Sequence, residues 1–101
     1  MIDEIRYKFS HDQFELSRHA VDQSIIRNIS INEIREIILN GEIIEDYPDD
    51  KYGPTCLIFG KTVKDRIIHI QCSYPSRDLI KIVTLYEPDS KYWIDFKTRR
   101  K

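Results

Sequence analysis

The sequence predicts a two-layer α+β domain, with two N-terminal helices packed on one face of a curved antiparallel sheet of three to four strands. Three observations predict it. Isoleucines recur at helical spacing between Ser17 and Asn40. Asn40-Gly41 then supplies a helix stop. Beyond Gly41 the chain turns to short β-branched runs separated by polar connections.

The elements follow in order. Residues 1–12 read either as a frayed arm or as a short helix. "FELS", from Phe14, alternates apolar and polar and reads as a lead-in or edge strand. Ser17 suits the N-cap of a first helix, whose apolar face would be Val21, Ile25, Ile26 and Ile29, with Asn28 ending it. The second helix carries a capping box, Ser30-Ile31-Asn32-Glu33, with serine at the cap and glutamate at the third helical position. Ile31, Ile34, Ile37 and Ile38 give its buried stripe, and Gly41 is expected in the left-handed conformation after its last turn.

Four runs then read as strands: "EIIED", "TCLIFGKT", "RIIHIQCSY" and "DLIKIVTLYE". The last is the longest and most apolar, which argues for a central place. "KDR" and "YPSRD" read as hairpin connections. Helices cover only one face of such a sheet, so the other is solvated or binds something.

The 101 residues suit a single domain with its core between about 14 and 94, and residues 97–101 read as a solvated basic tail. The net charge of −1 and a pI near 6.3 argue against an obligatory nucleic-acid binder, which is usually basic overall. Charge is segregated, however: "EDYPDD" opposes "FKTRRK". Cys56 and Cys72 sit in apolar strand-like runs and read as reduced core thiols, with a cross-strand disulfide as the alternative. The early acidic residues do not suit a signal peptide, and no apolar run approaches the ~20 residues that span a bilayer. The expected location is cytoplasmic, away from membranes. His11, His19 and His69 show no HxxxH or HExxH spacing, and only three glycines are present, with no phosphate-loop or dinucleotide motif. No metal and no cofactor is expected.

Candidate chemistry lies in two places. His19, Gln23 and Arg27 recur every four residues, so on a helix they stack along one stripe beside the apolar arc. His19 lies in the first turn, where the helix dipole disfavours a positive charge, and a neutral imidazole can serve as a base. Arg27 can clamp a phosphate or carboxylate, or pair internally with Asp22, Glu33 or the acidic segment after Gly41. On the strands, strict alternation sets Ile67, His69, Gln71 and Ser73 opposite Ile68, Ile70 and Cys72. It likewise sets Ile80, Ile82, Thr84 and Tyr86 opposite Leu79, Lys81, Val83 and Leu85. His69, between two isoleucines, is either a satisfied core histidine or a site residue whose basicity burial tunes.

"S-x-H-A" from Ser17, Arg27 followed by "I-S", "N-G-E-I-I-E-D-Y" from Asn40, "R-I-I-H-I" and "I-V-T-L-Y-E-P-D" from Ile82, then Trp93, together resemble domain-of-unknown-function family 4258. That family resembles, more distantly, the RelE/ParE superfamily of small bacterial toxins, some of which cleave mRNA while others block gyrase. The resemblance implies two helices on a curved antiparallel sheet, a substrate or partner on the open face, and His19, Arg27, His69, Thr84 and Tyr86 as the polar positions carried over.

Two functions follow as expectations. A toxin-like, metal-independent endoribonuclease would use His19 or His69 as base, Arg27 or Arg66 as phosphate clamp, and Tyr86 as acid or stacking platform. Gln23, Thr84, Arg99 and Arg100 would contact RNA, and an antitoxin-like protein would be the partner. The alternative is a non-enzymatic module that binds a protein, or a second copy of itself, through the open sheet face or an edge strand.

Overall fold

The computed structural model describes residues 1–51 and 53–101. The described residues form three helices, a five-stranded mixed sheet and a small two-stranded sheet. This overturns the expected two helices on a three- to four-stranded antiparallel sheet. The class α+β stands.

The additional helix is α1 (Ile2–Ser10), which buries Ile5 and Phe9 completely. Their four-residue spacing makes one face apolar, and Phe9 stacks on Phe14 at 4.0 Å between ring centroids. Arg6 completes the attachment by donating to the carbonyls of Ile38 and Gly41.

The sheet order is β1-β5-β4-β3-β2, formed by β1 (Phe14–Leu16), β2 (Glu42–Tyr47), β3 (Thr55–Lys61), β4 (Ile67–Ser73) and β5 (Ile80–Tyr86). β1 pairs with β5 in parallel, and the remaining neighbours are antiparallel. Three residues carry too little periodicity to announce a sheet partner, and β1 finds one only when β5 returns beside it. β5 is therefore interior, but the centre belongs to β4.

Helix α2 (Arg18–Ile26) is capped by Ser17, whose Oγ accepts from the Ala20 N–H at 3.0 Å and donates to the Val83 carbonyl at 2.8 Å. One hydroxyl thus starts the helix and ties it to β5. The expected apolar face is corrected. Only Ala20 of α2 is buried, while Ile25 and Ile26 are 72% and 73% exposed. Asn28 takes the left-handed conformation (φ 54°) that closes the turn, and Ile29 returns to the core.

Helix α3 (Ile31–Asn40) forms its capping box as spaced: Glu33 N–H to Ser30 Oγ at 3.1 Å, and Ser30 N–H to Glu33 Oε1 at 3.0 Å. Ile34, Ile37 and Ile38 are buried; Ile31 is exposed. Gly41 is not left-handed. Its φ of −86° is open to any residue, and its requirement is steric, since a Cβ there would lie 2.4 Å from the Ile37 and Phe59 carbonyl oxygens.

Residues 97–101 are exposed, as a basic tail would be, but Lys97 and Arg99 also make contacts with the sheet. β6 (Trp93–Ile94) and β7 (Thr98–Arg99) form a hairpin folded over the face of the sheet that the helices leave open. Trp93 is buried against His69, Lys97 pairs with Glu42 and lies over Phe59, and Arg99 spans Trp93 and Glu45. No apolar residue follows Phe96, yet cation–π contacts and ion pairs anchor the segment.

A groove on the open sheet face

The hairpin covers only part of the open face. Beneath it, His69 is 0% exposed. Its Nε2 donates to the Phe96 carbonyl at 2.6 Å, so Nδ1 accepts from the Tyr86 hydroxyl at 3.2 Å. Burial lowers the pKa of this imidazole, opposed by the Phe96 carbonyl, and burial raises that of Tyr86. Nearby, burial and the Glu45 carboxylate push the Tyr47 hydroxyl up to about 12. His69 and Tyr86 do meet, as a closed structural unit whose polar atoms are all engaged.

The rest of the face is open. A cavity of about 430 Å³ is lined by Ser17 and His19 at the start of α2, Asp50 before β3, Thr55 on β3, Ser73 on β4, Arg77 in the β4–β5 connection, and Lys81 and Val83 on β5. Ser73 Oγ accepts from the Lys81 N–H at 2.8 Å. At the floor, Thr55 Oγ1 donates to Asp50 Oδ2 at 3.1 Å, and Gln71 Nε2 lies 3.0 Å from Thr55 Oγ1 and 3.3 Å from Asp50 Oδ2. Among the described residues, no carboxylate lies within ion-pair distance of Lys81 or Arg77, and no group hydrogen-bonds the His19 ring. Two cations, one carboxylate, an imidazole and several hydroxyls thus line one concavity.

Lys81 reaches this face because of a β-bulge. Gln71 pairs with Thr84 and Cys72 with Ile82, so Val83 is unmatched. The extra residue reverses the alternation midway along β5. Ile80, Ile82 and Leu85 all enter the core, while Lys81 and Thr84 lie on the open face. Strict period two had set Lys81 and Thr84 on opposite faces. Alternation had placed Ser73 on one face with His69 and Gln71, but Arg77, Asp50 and Thr55 escaped sequence reasoning, since loop residues and an isolated hydroxyl carry no periodic signal.

The other expected site residues lie elsewhere. Gln23 and Arg27 bond each other at 3.0 Å on the exposed flank of α2. Of that stripe Gln23 is half-buried while His19 and Arg27 are exposed, and among the described residues Arg27 pairs with neither Asp22, Glu33 nor the acidic segment. Glu33 instead pairs with Arg66 at 3.0 Å. Burial would raise the Glu33 pKa, but the Ser30 N–H and Arg66 hold it below its usual range. Arg66 also binds Glu87 and the carbonyls of Arg27 and Asn28, which fastens the α2–α3 corner to the sheet. In the cleft of about 500 Å³ beside it, lined by Asn28, Glu33, Glu36, Lys64 and Arg66 among others, Glu33 is paired with Arg66 and Glu36 accepts from the Val63 N–H. Arg99 is engaged by Glu45, and Arg100 donates to the Ser90 carbonyl. Of the expected set only His19 lines the groove, with Thr84 half-buried on the same face.

No group of three or more histidine, cysteine, aspartate or glutamate side chains among the described residues is placed to hold a metal ion. No helix among them is long and apolar enough to cross a membrane. Comparison with curated proteins and with solved structures returns no match. Comparison with protein families returns one over residues 16–87, from the end of β1 through β5 and so across the groove, the hairpin lying outside it. A match over this share of the chain fixes the membership: the protein belongs to the family described as Domain of unknown function (DUF4258).

Proposed function

We propose that the groove binds the phosphodiester backbone of RNA and cleaves it without a metal, as a toxin-like endoribonuclease. The observation that carries this reading is the placing of Lys81 and Arg77, two cations with no carboxylate in ion-pair distance among the described residues, with the His19 imidazole around one cavity. Cations held in a concavity attract an anion, and a phosphate matches a guanidinium and an ammonium together. The more distant resemblance of the family to the RelE/ParE toxins supports the same reading.

In the reaction, the His19 imidazole takes the proton of a ribose 2′-hydroxyl. The 2′-oxygen attacks phosphorus, the bond from phosphorus to the 5′-oxygen breaks, and a 2′,3′-cyclic phosphate forms. Lys81 and Arg77 balance the charge that accumulates on the phosphoryl oxygens. The departing 5′-oxygen takes a proton from the Lys81 ammonium. Asp50, steadied by Thr55 and Gln71, accepts a hydrogen bond from a ribose hydroxyl, which favours RNA over DNA. His69 and Tyr86, engaged beneath the hairpin, take no part.

The test is growth arrest on induction together with RNA cleavage by purified protein. Losing the base in His19→Ala lowers the cleavage rate about 10²–10⁴-fold without unfolding the chain. A folded wild type that neither binds nor cleaves RNA, and leaves growth unchanged, removes the reading.

A second reading, a protein-binding module, rests on the exposed Val21, Ile25 and Ile26 of α2. An apolar helix face of this kind suits an antitoxin-like partner. The double variant Ile25→Asp, Ile26→Asp keeps the fold and loses the partner in a co-purification assay; partner capture equal to wild type rejects this surface.

A further inference from the structure

Cys56 on β3 and Cys72 on β4 are direct partners across the antiparallel ladder. Both are free thiols, both are fully buried, and their Sγ atoms lie 3.9 Å apart. The hydrogen-bond parity of the ladder fixes the kind of pair they form. Tyr74 N–H donates to the Pro54 carbonyl at 3.1 Å, and Thr62 N–H to the Arg66 carbonyl at 2.9 Å. Bonded pairs alternate with non-bonded ones, so counting inward from either end makes Cys56 and Cys72 a bonded pair. Such pairs hold their Cα atoms about 5.5 Å apart. A disulfide spans roughly 4.4–6.8 Å between Cα atoms, with its commonest value close to this separation. The Cα separation fits, while the Cβ atoms of a bonded pair lie about 5 Å apart, wider than the roughly 3.5–4.5 Å of a disulfide. Closure from the 3.9 Å sulfur separation therefore draws the two strands together slightly as the side chains rotate.

We propose that Cys56 and Cys72 are a reversible redox pair that closes into a cross-strand disulfide when a peroxide oxidises it. The Cys56 thiolate attacks a peroxide oxygen, the O–O bond breaks, and a sulfenic acid forms; hydroxide leaves and takes up a proton as water. The Cys72 sulfur then attacks the Cys56 sulfur, the S–O bond breaks, and a second water leaves with the Cys72 proton. Two thiols are oxidised and one peroxide is reduced. The contact between the two sulfurs lowers the pKa of Cys56, and together with burial raises that of Cys72, so Cys56 is taken as the attacking thiol and Cys72 as the resolving one. Peroxide is small enough to reach the pair through local opening of the strands. Neither cysteine lines the groove, so this proposal stands independently of the ribonuclease reading.

The experiment treats the folded full-length protein with hydrogen peroxide and measures intact mass and a non-reducing peptide map. The expected result is a mass loss of two hydrogens, one peptide cross-linked between Cys56 and Cys72, and recovery of both thiols with dithiothreitol. The oxidised chain melts several degrees higher, because the cross-link restricts the unfolded state. Cys72→Ser shows no mass loss and instead yields a Cys56 sulfenic acid that dimedone captures. Two free thiols after peroxide treatment, oxygen addition at one cysteine without a cross-link, or links only between chains overturns the proposal. The wild-type readout needs no variant, so a poorly folded Cys72→Ser leaves the test intact.

Discussion

His69 Nε2 donates to the Phe96 carbonyl at 2.6 Å, joining the central strand of the sheet to the C-terminal hairpin. The hydrogen bond crosses from β4 to a residue in the left-handed conformation (φ 62°), at the turn between β6 and β7. The histidine thus fixes a segment that would otherwise be a charged tail.

This contact carries a pH dependence. The folded pKa of His69 lies below the unfolded value near 6.5, with burial as the main cause. Below pH ~6.5 the unfolded chain therefore binds more protons at this position than the folded one. The contribution is fully present above that pH and is lost as pH falls toward the folded value. Urea midpoints measured from about pH 7.5 to pH 5 show wild type losing stability faster than His69→Gln on acidification. Parallel profiles would mean that His69 is not the buried neutral group described above.

Trp93 anchors the hairpin, and Trp93→Ala should cost about 3–5 kcal/mol, the usual range for emptying a buried aromatic site. Chemical denaturation measures it. An unchanged midpoint would show the hairpin detached in solution and His69 open to solvent.

Gly41→Ala tests close approach rather than backbone freedom. The added Cβ meets two backbone oxygens, of Ile37 and Phe59, at 2.4 Å, and neither can swing aside as a flexible side chain would. The end of α3 must move away from β3, costing about 1–3 kcal/mol or more. A variant as stable as wild type would disprove the contact.

Ser30→Ala removes the acceptor for the Glu33 N–H and should lower stability by about 0.5–2 kcal/mol. Ser17→Ala loses a second bond as well, to the Val83 carbonyl, and should cost more than Ser30→Ala. Equal costs in thermal melts would show that the tie from α2 to β5 adds nothing.

Local signals were legible wherever the determinant lies within one turn or one strand. The Ser30–Glu33 box, the Ser17 cap, the Ile34–Ile37–Ile38 stripe, the Asn28 stop and the extended runs all belong to this kind, since each depends on residues three or four apart or on simple alternation. The groove was legible only at His19. Its other polar members come from loops and from different strands, and Lys81 enters it through a bulge that period-two reasoning cannot contain.

By itself the sequence determined the α+β class, the α2–α3 corner and the strands from β2 to β5. Only the tertiary structure decided that β1 joins β5 in parallel, that Ile25 and Ile26 face outward, and that Arg99 folds back onto Trp93 and Glu45. The reason is one of range. Caps and periodicities are written in neighbouring residues, whereas an edge strand, a sheet-covering hairpin and a pocket are contests among distant segments for the same surface, settled only when those segments meet.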